Sequence, residues 1–181
     1  MTKYFYIILL FVTASYSQDC RLISKAEKII NSEKPDFIKA EKLLARAKND
    51  DYGFCANLKL SALSEIEYLT ARIYYLKSEY KKSLEILDSG ETWEKQKESD
   101  LLKVMCLSKI YGKTEIRNSI LNHKDELIRR DSDFRYKKIC LKLESINYNF
   151  CFYDQNEELN YKTEVGILEI LQASNFYTIL E

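Results

Sequence analysis

Residues 68–87 read YLTARIYYLKSEYKKSLEIL. Apolar residues recur there at helical spacing on either side of a short polar break, Lys77-Ser78-Glu79. The segment therefore predicts two amphipathic helices joined by a very short turn. A hairpin of this size cannot bury its apolar faces alone and needs neighbours. The rest of the chain supplies material of the same kind. Only four glycines and one proline occur in 181 residues, too few for the many turns of a β-sandwich or barrel. Hydrophobic residues at 46% and charged residues at 31% fit a folded domain and exclude a disordered chain.

Ala71, Tyr74, Tyr80, Ser83 and Leu87 follow a small, aromatic, aromatic, small, large-apolar order across that hairpin. In this the segment resembles a tetratricopeptide repeat. Residues 36–47, DFIKAEKLLARA, carry Phe37, Ala40, Leu44 and Ala47 at the spacing of such a repeat's second helix, although Lys28 and Asn31 depart from the pattern before it. The resemblance implies an all-α fold of stacked antiparallel hairpins, at about 20–48, 55–89 and 92–129, with a C-terminal cap over 131–181. It also implies a concave surface lined by first helices. Carried onto this chain, that face holds Glu65, Tyr68, Arg72 and Tyr75, continued by Leu102, Met105 and Lys109. Aromatic, arginine and methionine side chains suit contact with a protein or peptide. A solvated helix face with two incidental tyrosines is the plain alternative.

Outward from the central hairpin, a first helix is expected over 20–31 and a long one from Cys55 to Leu76, whose stripe Ile66, Leu69, Thr70, Ile73 and Tyr74 should face the core. Glu79 and Tyr80 open the next helix, and Gly90 is a stop signal. Residues 92–111 form the following helix, ended by Gly112, and Thr114 is an N-cap candidate for a helix running to Arg129. Residues 132–146 are expected to be helical. Residues 146–153, INYNFCFY, alternate and are aromatic, which favours a strand, but a helical end with a last helix over 157–172 is the preferred reading.

Residues 1–17 stand apart. Lys3 precedes the apolar run YFYIILLFV, and Ser15 and Ser17 place small residues before a cut at Gln18. This is the pattern of a secretory signal peptide, and it leaves residues 18–181 as a single exported domain, secreted or periplasmic. Gln18 and Asp19 before Cys20 do not suit lipidation. No later segment is apolar enough to insert stably in a membrane.

Export would place five cysteines in an oxidising compartment. Cys20 and Cys55 lie 35 residues apart, and Cys106 and Cys140 lie 34 apart. Both separations match the length of a hairpin repeat, so these are the candidate bridges. Alternatively, Cys106 is a small buried apolar residue between Met105 and Leu107. Cys140 and Cys151 would sit about 16 Å apart on one continuous helix; a bridge between them would require the chain to turn back.

Cations and anions balance at 28 each, so no net field favours nucleic acid. The single histidine, His123, shares a helical face with Ile116, Ile120 and Leu127 and reads as structural. No nucleophile, phosphate-binding, dinucleotide or metal motif occurs, and no cofactor is expected. The chain reads as a non-catalytic binding scaffold. Two other readings are an envelope hydrolase with an unmarked carboxylate site, which requires a pocket holding an acid of raised pKa, and a sensory or inhibitor domain docking on one enzyme.

Overall fold

The computed structural model describes residues 21–49, 56–90, 95–123, 126–130, 137–153 and 167–181. The signal-like segment, its cut site, Cys20, Cys55 and the start of the helix expected over 157–172 lie outside them. The chain divides into two compact units, Met1–Lys95 and Gln96–Glu181, where one continuous repeat domain was expected. Most of the described elements are α-helices.

The first unit is helical. Helix α1 covers residues 21–30. Helix α2 is Phe37–Lys48, capped by Asp36, whose side chain accepts a hydrogen bond from the Lys39 amide at 2.9 Å. Helix α3 is Ala56–Leu76 and α4 is Tyr80–Ser89. Ile23, Ala26 and Ile30 of α1, Ala40, Leu44 and Ala47 of α2, and Ala62, Ile66, Leu69 and Ile73 of α3 form one core. The alanines let the backbones approach, and the branched side chains fill the remaining space.

The hairpin α3–α4 turns in three residues. Ser78 adopts a left-handed conformation (φ 63°), the Glu79 amide bonds to the Tyr74 carbonyl at 2.9 Å, and the Ser78 amide bonds to the Tyr75 carbonyl at 3.0 Å. This is the Schellman arrangement, in which glycine is the favoured left-handed residue. Beyond the turn, Ser83 of α4 packs against Ala71 of α3. Both are fully buried, and the Ser83 hydroxyl donates to the Ala71 carbonyl at 2.8 Å.

The second unit is mixed, which corrects the all-α expectation for the C-terminal part. Helix α5 is Gln96–Tyr111 and α6 is Lys113–Leu121. Gly112 joins them with φ 94°, a conformation that favours glycine. Gly112, not Thr114, occupies the N-cap position. The helix expected to reach Arg129 stops at Leu121, and β1 (Glu126–Arg130) follows. The helix expected over 132–146 is instead β2, Lys137–Leu143, followed by a short 3-10 turn at Glu144–Ile146. Strand β3 is Tyr148–Tyr153. The three form an antiparallel sheet in the order β1-β2-β3. Helix α7, Ile167–Ala173, and α8, Tyr177–Leu180, complete the described chain.

Alternation explains the sheet. Ile139, Leu141 and Leu143 are buried on one face, as are Phe150 and Phe152, and the register pairs Ile139 with Phe152 and Leu141 with Phe150. Phe176 meets both phenylalanines edge-on, with ring centroids 5.4 and 5.3 Å away. The turn Ser145–Asn147, with Asn147 left-handed (φ 50°), reverses the chain. Cys140 therefore lies directly opposite Cys151, and the two form a disulfide with Cα atoms 4.0 Å apart. The bridge expected between Cys106 and Cys140 does not form; Cys106 is a fully buried thiol on α5.

Two stability outcomes follow from these turns. Ser78→Gly should stabilise the protein by about 1 kcal/mol, because the left-handed conformation penalises a Cβ, measured by urea denaturation. Replacing Cys140 and Cys151 together by serine should cost about 3 kcal/mol by loop-closure entropy, and a non-reducing peptide map should show those two cysteines linked.

Candidate functional site

Three helices of the first unit enclose a cleft of about 400 Å³. Its walls are Glu41, Leu44, Ala45 and Lys48 from α2, Ile66, Glu67, Thr70 and Tyr74 from α3, and Ile86 and Ser89 from α4. Leu44 and Ile66 are almost fully buried and make an apolar floor. The spacing on α2 is helical, i, i+3, i+4 and i+7, so one stripe faces the opening. A cleft of this size accepts one or two amino-acid side chains or a small molecule.

Its polar rim is partly committed. The Thr70 hydroxyl donates to the Ile66 carbonyl at 2.7 Å, and the Ser89 hydroxyl donates to the Ile86 carbonyl at 3.1 Å. Lys77 reaches Glu41 at 3.4 Å and Glu79 at 3.4 Å, and Lys82 reaches Glu79 at 3.1 Å. The hydrogen bond from Lys82 holds Glu79 below the ordinary carboxylate value. Both lysines also lie over the Tyr74 ring, at 5.1 and 4.7 Å from its centroid. These exposed pairs fix the Tyr74 ring orientation more than they add stability.

The residues expected to line a concave face lie elsewhere. At roughly 100° per residue, Glu65, Tyr68, Arg72 and Tyr75 occupy the side of α3 away from Glu67, Thr70 and Tyr74. Tyr68 packs against the core. The Arg72 guanidinium donates to the Asn31 side-chain carbonyl at 2.7 Å. Tyr75 meets the Tyr80 ring at 5.4 Å. In the second unit, Lys109 is exposed and Met105 half-buried. Leu102 is only 5% exposed and belongs to the interior, which corrects its place on a contact surface. His123 follows α6, half-buried, with Nδ1 2.8 Å from the Ile120 carbonyl; the Leu127 grouped with it lies on β1.

The cleft was partly legible. Ile66, Thr70 and Tyr74 stood in the core stripe of α3, but only Ile66 is buried while Thr70 and Tyr74 are half-buried. Glu41, Lys48, Glu67 and Ser89 carried no signal beyond ordinary helix-surface polarity.

One carboxyl is strongly perturbed. Asp100 of α5 is 3% exposed. Burial pushes its pKa up to about 7, against the opposing pull of Lys103, the Tyr153 amide and Lys138. Its Oδ2 accepts from the Tyr153 amide at 3.2 Å, and Lys103 donates to the Cys151 carbonyl at 3.5 Å. Those two backbone groups point away from β2. Two side chains of one helix thus occupy the outer edge of β3, where a further strand would otherwise pair. The hydrolase reading asks for a raised acid inside a pocket; Asp100 is buried against a strand, and the cleft residues all belong to the first unit. Among the described residues no group of three or more His, Cys, Asp or Glu side chains is placed to hold a metal ion, and no helix is long and apolar enough to cross a membrane.

Comparison with family models, with curated proteins and with solved structures finds no match to this chain.

Because Asp100 takes up its proton more readily folded than unfolded, folding binds a proton between about pH 4 and 7. Its contribution to stability is full below that window and is lost as pH rises through it, by at most about 4 kcal/mol. Asp100→Asn should flatten this dependence. Urea midpoints at pH 5 and pH 8 for both proteins check it.

Proposed function

We propose that this chain is an exported scaffold of helical hairpins, similar to tetratricopeptide-repeat proteins, that binds a segment of another protein. The observation that carries this reading is the cleft between α2, α3 and α4, with its apolar floor and polar rim. It has the size for anchor side chains, and rigid helices hold it on three sides. Full burial of Ala40, Ala47, Ala71 and Ser83 supports the repeat resemblance, because these are its small packing positions. Export rests on the signal-like segment 1–17 and is supported by the Cys140–Cys151 disulfide.

The binding site in this proposal is the cleft rather than the face of Glu65, Tyr68, Arg72 and Tyr75. Tyr68, Arg72 and Tyr75 are engaged within the chain, and freeing them would cost part of any binding energy.

Crosslinking capture with the full chain, read by mass spectrometry, tests the choice. Ala45 is exposed at the cleft, so Ala45→Trp fills the opening without disturbing the core. Capture of a partner should fall by about tenfold or more in Ala45→Trp, the effect of losing one anchor contact. It should persist in the Tyr68→Ala, Arg72→Ala double variant. The reverse pattern would return the site to the other face.

A further inference from the structure

We infer that β1 is a self-association edge: two copies of the chain join antiparallel along Glu126–Arg130, with Ile128 on the two-fold axis, and their sheets become one. The cleft takes no part in this, since its residues all belong to the first unit.

The two edges of the sheet are built differently. The strand order is β1-β2-β3, so β1 and β3 are the edges. At β3, Asp100 accepts from the Tyr153 amide and Lys103 donates to the Cys151 carbonyl, which leaves that edge closed to a further strand. Among the described residues β1 pairs with β2 alone. Its other row of backbone amides and carbonyls is a template for one more strand.

The sequence of β1, ELIRR, fits a second copy of itself. Side chains alternate along a strand, so two copies keep their buried faces on the same side only if the two-fold axis passes through a residue. An axis through Ile128 overlaps the whole strand. It sets Glu126 opposite Arg130 of the second copy, at both ends of the joint, and Ile128 opposite itself. Opposite charges at facing positions support an antiparallel pair, and like charges oppose it. The register with β2 adds a reason for an acid to arrive from the open side. Arg130 is paired with Lys137 and Arg129 with Lys138, like charges at two successive positions. A parallel pair in register would instead set glutamate against glutamate and arginine against arginine. The apolar row matches as well. Phe152, Ile139 and Ile128 are successive register neighbours across the sheet, Phe152 and Ile139 are fully buried, and Ile128 of the second copy continues that row.

Sedimentation equilibrium of the full chain over a concentration series tests this, with Glu126→Arg and Arg130→Glu studied alone and mixed. The unaltered chain should dimerise. Each variant alone should do so about tenfold more weakly, because both facing pairs become like charges. An equimolar mixture of the two should recover the association, since every facing pair is again opposite in sign. A chain that stays monomeric up to millimolar concentration would overturn the proposal. Dimers whose strength neither variant changes would overturn it by placing the interface elsewhere. Weakening that the mixture does not repair, in variants that keep the circular dichroism of the parent, would overturn it too.

Discussion

The first unit depends on how closely α4 approaches α3. Ala71 and Ser83 meet with no exposed surface, and the serine hydroxyl satisfies itself on the Ala71 carbonyl. A larger residue at either position would push the helices apart, since a close-packed interior yields little. That approach sets the position of Ile86 and Ser89 against Ile66, Glu67 and Thr70. The cleft is the space left where α2, on the other side of α3, diverges from α4. It is a consequence of hairpin packing, and its polar rim comes from the side chains of Glu41, Lys48, Glu67, Thr70 and Ser89.

The second unit solves a different problem with different means. Strands β2 and β3 bury one face, β3 against α5 and β2 against α6, with Phe150, Phe152 and Phe176 as the main filling. The other face carries the Cys140–Cys151 bridge, Lys138, Lys142 and Tyr153, with Lys138 5.8 Å from the Tyr153 ring centroid. The outer edge of β3 is closed by Asp100 and Lys103, one turn apart on α5. Asp100 is kept buried there, and burial raises its pKa despite the opposing pull of Lys103, the Tyr153 amide and Lys138. A carboxylate there trades stability near neutral pH for an edge that cannot pair with another chain.

How much of this is written in the sequence varies with the element. Helices α2, α3 and α4 are legible to within about two residues, because apolar periodicity, Gly90 and the polar Lys77–Glu79 break act locally. The sheet is not, although INYNFCFY alternates plainly. A weak echo of residues 99–111 suggests helix over 132–146, and that echo masks the local β-pattern of KKICLKL. The Cys140–Cys151 pairing holds the information needed: it requires a reversal between the two cysteines, and Asn147 supplies one. The site is harder to read. Tyr68, Arg72 and Tyr75 stand out by residue type, yet their partners Asn31 and Tyr80 and the core under Tyr68 are known only in three dimensions. Glu41, Lys48 and Glu67 are ordinary surface residues until three helices bring them to one opening.

The Ala71–Ser83 contact is what shapes the cleft, and hydrogen exchange of the Ala71→Leu variant measures it. If α4 is held by that close approach, the added bulk will strip protection from the amides of α4 while α1, α2 and the core-facing part of α3 keep theirs. Undiminished protection of α4 in the variant would mean that something else seats the helix, and that the cleft does not owe its form to the Ala71–Ser83 approach.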